Sequence, residues 1–155
     1  MARYSGSNEL AGTRQAMAAT YKTLMVLAAA TATLTRAMVG DITVGINGTP
    51  ADNVMEFDVS RTTANGTGTA ATPVPLDPAL RAAGTTLTVN QTAEPTVTAA
   101  SSLLQFGMNQ RATYRWVAAP GSELLIPATN AAGLAIRAKS PAYTGTATAV
   151  ALFEE

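Results

Sequence analysis

The chain has 155 residues, no His and no Cys, and ten basic against ten acidic side chains, so its formal net charge is zero. Without imidazole or thiol, Ser-His-Asp and Cys-His catalysis and the usual zinc sites are excluded. A phosphate-backbone binder would need a basic surplus that is absent here, so no nucleic-acid partner is expected. The length suits one domain, and with aromatics at 5% the core must rest on Leu, Ile, Val, Met and many Ala.

Residues 1–20 are small, polar and aperiodic, and read as an extended, mobile N-terminal arm ahead of a single domain at 21–155. Met17, Tyr21, Leu24 and Met25 offer a weak helical stripe as the alternative. Thr31, Thr33 and Thr35, alternating with Ala and Leu, suit a pleated surface better. The longest wholly apolar run, from Leu24 to Ala30, is far below the roughly 20 residues a membrane helix needs. The opening MARYSGSNELAG has no charged-then-apolar leader pattern. These features lead us to expect a cytoplasmic product with no membrane partner.

From 34 to 46 the even positions Leu34, Met38, Ile42, Val44 and Ile46 share a face, with Gly40 marking a bulge. Asn47-Gly48-Thr49-Pro50 turns the chain. Over 54–61, Met55, Phe57 and Val59 oppose Glu56, Asp58 and Ser60. Residues 62–72, TTANGTGTAAT, have nothing to bury and predict an exposed loop. Asp77-Pro78 is placed to cap a short helix over 79–83, ended by Gly84. Strand pattern resumes over 85–92, where Leu87 and Val89 share a face.

Residues 101–128 carry the only Trp, Trp116, with Phe106 and Tyr114, in three alternating segments separated by turns at Asn109-Gln110 and Pro120-Gly121. Burial of Trp116 and Phe106 in one core is the expectation. Two more strands follow, over 134–139 and 144–153, broken apart by Ser140-Pro141. Some eight to ten short strands without intervening helices predict an all-β fold, an antiparallel β-sandwich or barrel.

Chemical signals are few. Glu56 and Asp58 lie two residues apart on one strand face, where a two-carboxylate hydrolase site is conceivable and a solvated face is the simpler reading. Glu154 and Glu155 read as a solvated terminus. Asn47-Gly48-Thr49, Asn65-Gly66-Thr67 and Asn90-Gln91-Thr92 match the N-x-[ST] pattern but read as turn chemistry. Gly66-Thr67-Gly68 lacks the context of a phosphate loop. Arg111, Arg115 and Trp116 suggest base stacking, against which alternation sends Arg115 outward and Trp116 inward. No catalytic, cofactor-binding or metal residue is assigned, and no enzymatic activity is expected.

The segments Gly48-Thr49-Pro50-Ala51-Asp52-Asn53, Thr72-Pro73-Val74-Pro75-Leu76-Asp77-Pro78 and Gln110-Arg111-Ala112-Thr113-Tyr114-Arg115-Trp116 resemble small structural proteins of tailed bacteriophages. Lys139-Ser140-Pro141-Ala142-Tyr143-Thr144-Gly145 and the ending Phe153-Glu154-Glu155 fit the same likeness, which runs from about Thr43 onward. The family is that of capsid cement, or decoration, proteins of double-stranded DNA phages. The resemblance implies a jelly-roll sandwich, a homotrimer, a place on the virion capsid surface and the major capsid protein as partner. It assigns no contact residue. A receptor- or carbohydrate-binding module of a phage tail or fibre is the alternative.

Overall fold

A computed structural model describes residues 1–30, 35–49 and 51–155. Among these residues there are twelve strands and no helix: β1 (Arg3–Ser7), β2 (Lys22–Ala29), β3 (Ala37–Asn47), β4 (Val54–Ala64), β5 (Thr67–Ala71), β6 (Val74–Pro75), β7 (Thr85–Ala93), β8 (Thr96–Asn109), β9 (Tyr114–Val117), β10 (Leu124–Ile126), β11 (Gly133–Lys139) and β12 (Thr146–Glu154). They form two antiparallel sheets. The first runs β10-β3-β12-β1-β6, with β9 also on β3, and the second runs β5-β7-β2-β11-β4-β8. The first strand thus pairs with the last, and the second with the next to last. The rows β1-β12-β3-β10 and β2-β11-β4-β8 have jelly-roll order, two Greek keys folded as one sandwich. The expected all-β antiparallel sandwich is therefore present.

Alternation builds the core between the sheets. Met55, Phe57 and Val59 of β4, Leu134 and Ile136 of β11, and Met25 and Leu27 of β2 are buried against Val39, Ile42 and Val44 of β3. The inward row of β12 is Ala147, Ala149, Ala151 and Phe153. Three alanines in a row let the sheets approach closely, and Tyr4 stacks on Phe153 at 5.5 Å. Gly40 is the bulge expected of it. Leu152 pairs with Asp41 and Phe153 with Val39, which skips Gly40. The inward parity therefore changes from Ala37 and Val39 to Ile42 and Val44, and Met38 turns outward, against the single even face expected. The expected strand start at Leu34, the Thr31 and Thr33 alternation, and Pro50 of the turn lie outside the described residues.

The N-terminal segment departs from expectation. β1 sits inside the first sheet between β12 and β6, and Tyr4 and Asn8 are fully buried. The Asn8 amide donates to the Ala147 carbonyl at 2.9 Å, and its Oδ1 accepts from the Ala149 N–H at 2.8 Å. The Met17 N–H donates to the Gly145 carbonyl at 2.8 Å. Residues drawn as an arm are stitched to β12, and a domain starting at residue 21 would omit a strand from the sheet. Main-chain and amide hydrogen bonds do this work, and they leave no hydrophobic period to read. Residues 22–29 are strand throughout, not helix, and all but Lys22 are buried. The run is apolar without a period because both faces of the strand are buried.

Two further segments differ. The 62–72 segment is not a loop: β4 continues to Ala64 and β5 begins at Thr67. β4 and β5 lie near opposite ends of the second sheet although only Asn65 and Gly66 separate them. The ribbon they form with β7 and β8, where Ala64 pairs with Thr96 and Thr67 with Ala93, must therefore cross the sheet. At the crossing the Glu94 carboxylate accepts from the Thr23 N–H and hydroxyl of β2, at 3.0 and 2.6 Å. Residues 79–83 are not a helix: a turn closes at 77–80, where the Leu80 N–H donates to the Asp77 carbonyl at 3.0 Å, and 81–83 are irregular. The Asp77 cap is made, with the Ala79 N–H donating to Oδ1 at 2.9 Å, but a helix this short cannot repay its nucleation.

Candidate functional site

The two carboxylates singled out in the sequence are both on the outer face of β4, and each is held by a cation. Asp58, 2% exposed, accepts from Arg137 Nε and Nη2 at 2.8 and 2.6 Å and from the Ser60 hydroxyl at 2.6 Å. This corrects the solvated-face reading for Asp58, which is buried beside its cross-strand partner on β11. Glu56 is half-exposed and pairs with Lys139 Nζ at 3.0 Å. That hydrogen bond raises the Lys139 pKa above its ordinary value. Arg137 and Lys139 both lie against the Tyr21 ring, at 4.7 and 4.8 Å from its centroid. The pair is thus a charge ladder fastening β4 to β11, with cation–π contacts to Tyr21 above it. Glu155, expected to be solvated, accepts from the Gly84 and Thr85 N–H groups at 3.0 and 2.6 Å and pins the start of β7.

The remaining sequence signals separate in space. Arg115 points outward, as alternation requires, and bonds Asp41 through Nε at 3.0 Å; this hydrogen bond raises the Arg115 pKa. Arg111 pairs with Asp52 at 3.0 Å. Trp116 and Phe106 are only partly buried against the core, which corrects the expectation of full burial. Phe106 lies between Phe57 at 5.6 Å and Tyr114 at 4.2 Å, and Tyr114 is 39% exposed. Both strands are outermost, so no further strand covers the far side of their inward rings.

Sequence reasoning missed the outer face of the first sheet. A groove of about 340 Å3 runs across it, and Arg3, Met38, Leu76, Val117, Leu152 and Glu123 are among its walls. Leu76 and Val117 are more than half exposed, as is neighbouring Val74 on β6. Ion pairs lie beside the groove: Arg3 with Glu154 at 3.4 Å and Arg115 with Asp41. The groove is assembled from four strands distant in sequence, β1, β3, β9 and β12, with Leu76 and Glu123 flanking them and Met38 turned outward by the Gly40 bulge, so no local pattern announces it. The opposite outer face has buried apolar residues, Val26, Ala28 and Ala135, in a cluster of their own. An apolar strip between ion pairs suits a flat, complementary protein surface, since it offers area without a deep pocket. Among the described residues, no three His, Cys, Asp or Glu side chains gather as a metal site.

Comparison of the chain with protein-family models, curated proteins and solved structures finds no match.

Proposed function

We propose that the protein is a structural virion component that binds the outer surface of an icosahedral phage capsid and reinforces the shell. The observation that carries this reading is the uncovered apolar groove on a jelly-roll sheet, walled by Leu76, Val117 and Leu152. The phage-protein likeness of residues 43–155 supplies the partner, the major capsid protein. Contacts repeated on neighbouring capsid subunits act together through effective concentration. Binding the assembled shell in preference to its dissociated subunits stabilises the shell by mass action. Because the contact is mainly apolar, moderate salt weakens it little. The experiment adds purified protein to shells of its own phage that lack it, and follows binding and thermal disruption. Binding with a raised disruption temperature is expected, and either result missing overturns the proposal.

A second reading, a receptor- or carbohydrate-binding module of a phage tail or fibre, draws support from the exposed Tyr114 beside Trp116. Against it, the Tyr114 ring already packs on Phe106, which leaves one face for a sugar. Glycan binding lost on Tyr114→Ala, without shell binding, would favour that reading.

A further inference from the structure

The two sheets end in strands that are not equally guarded. Natural sheets blunt their edges with shortness, charge, proline or bulges, because an open edge templates pairing with another chain. On the first sheet, β6 has two residues and includes Pro75. β10 has three, between Glu123 and Pro127, and β9 has four and carries Arg115. On the second sheet β5 has five residues and leads into Pro73. β8 is the exception, with 14 residues. From Thr96 to Gln110 there is no Lys, Arg, Asp, Glu or Pro.

Bulges guard the first half of β8. Its pairing with β4 is irregular beyond Val59, and Ala100 has φ of 54°. From Leu104 to Asn109 the register against Val54–Val59 is unbroken, so the other side of these residues is a regular, uncharged edge. Leu104, Phe106 and Met108 lie on its inner side, each only partly buried. Gln105, Gly107 and Asn109 lie on the outer side and are exposed.

We infer that residues 104–108 of β8 pair antiparallel with the same residues of a second copy, joining the second sheets of two chains across a two-fold axis. Self-pairing is favoured because this edge meets no like charge in its own copy and because the other edges are blunted. Parity selects the register. With the axis on a residue, even positions oppose even ones and apolar sides meet. An axis on Phe106 sets Leu104 against Met108 of the second copy, and Gln105 against its Gly107. The half-exposed Phe106, Tyr114 and Trp116 then come close to the junction, where water is excluded from them. An isologous contact of this kind closes at two copies, which differs from the trimer that the phage-protein likeness implies. The inference does not rest on the capsid reading, since it concerns the protein alone.

The test is the solution mass of the full chain, by light scattering over a concentration series, for wild type, Gly107→Lys and Gly107→Ala. A side chain at Gly107 meets nothing nearer than the Met55 carbonyl at 3.8 Å, so both variants should fold, which an unchanged melting midpoint of diluted samples would verify. Twice the 15.8 kDa chain mass is expected for wild type and Gly107→Ala. For Gly107→Lys, a dissociation constant at least tenfold higher is expected, because lysines on both copies face each other diagonally. Amide exchange of wild type needs no substitution: protection within 104–108 should rise with concentration. A monomer throughout, a mass of three chains, a Gly107→Lys protein that stays dimeric, or concentration-independent protection would each overturn the inference.

Discussion

The two outer faces of this sandwich are built from the same kinds of residue and finish differently. On the second sheet, Val26, Ala28 and Ala135 are buried in a small cluster of their own, and Asp58, Ser60 and Thr62 are nearly inaccessible. The ribbon from β4 and β8 to β5 and β7 crosses this sheet and bonds to β2 through Glu94. Among the described residues no ribbon crosses the first sheet, and Val74, Leu76 and Val117 remain more than half exposed. The charge covered on the second sheet, Asp58, is held by Arg137 and Ser60. An apolar group left uncovered contributes little to the fold. On the reading proposed above, one face serves stability and the other association.

Substitutions can break this contrast in graded steps. The largest effect is expected from Asp58→Ala, which leaves Arg137, 19% exposed, without its counter-charge. A loss of about 3 kcal/mol in unfolding free energy is expected, in line with breaking a buried pair from one side. Denaturant titration measures it, and Asp58→Leu with Arg137→Met should recover most of the loss. An unchanged midpoint for Asp58→Ala would mean that the second face is as open as the first.

Gly66→Ala tests the crossing itself. Gly66 has φ of +71°, and an added Cβ would lie 2.4 Å from the Ala93 carbonyl oxygen and 2.7 Å from the Pro95 nitrogen. A cost of about 1–3 kcal/mol is expected from the left-handed backbone and the close approach. Exchange of the Thr23 amide, whose acceptor is Glu94, should quicken in the variant. Unaltered exchange would show that the ribbon stays seated without the glycine.

Trp116→Ala sits between the faces, on the open side of the sandwich. Partial burial predicts a loss of about 2 kcal/mol, below the 3–5 kcal/mol typical of a fully buried ring. A larger loss would mean that Trp116 is more deeply packed than its neighbours on β9 suggest.

The smallest stability effect is expected on the first outer face. Leu76→Ser and Val117→Ser, both at residues more than half exposed, should each change unfolding free energy by less than about 0.5 kcal/mol, as surface substitutions do. The same variants should weaken shell binding, so their stability and binding readouts must diverge. If both fall together, the groove belongs to the core rather than to a partner.

Much of the architecture was legible because alternation is local. The rows Met55-Phe57-Val59 and Leu87-Val89 point inward as read, Arg115 points outward, and Gly40 is a bulge. Strand β1 was hidden because Tyr4 is its single large buried side chain, and hydrogen bonds rather than a hydrophobic row hold the segment that contains it. The Gly- and Thr-rich ribbon was hidden for a related reason: its strands exist because they pair with each other, and nothing in their composition demands it. Glu56 and Asp58 were visible as a pair, but their partners Lys139 and Arg137 lie some eighty positions away.

By itself the sequence determined the class of fold. Period-two patterning with turn residues between segments leaves few ways to bury Leu, Ile, Val and Met except two packed antiparallel sheets. It also determined which chemistry is missing, since imidazole and thiol cannot be supplied by folding. Only the tertiary structure decided which face is covered and which edge is unguarded. Those properties depend on what lies across a sheet from each residue, and strand order is set by long-range pairing that no short window of sequence encodes. The groove among Leu76, Val117 and Leu152, and the bare edge of β8, are consequences of that order.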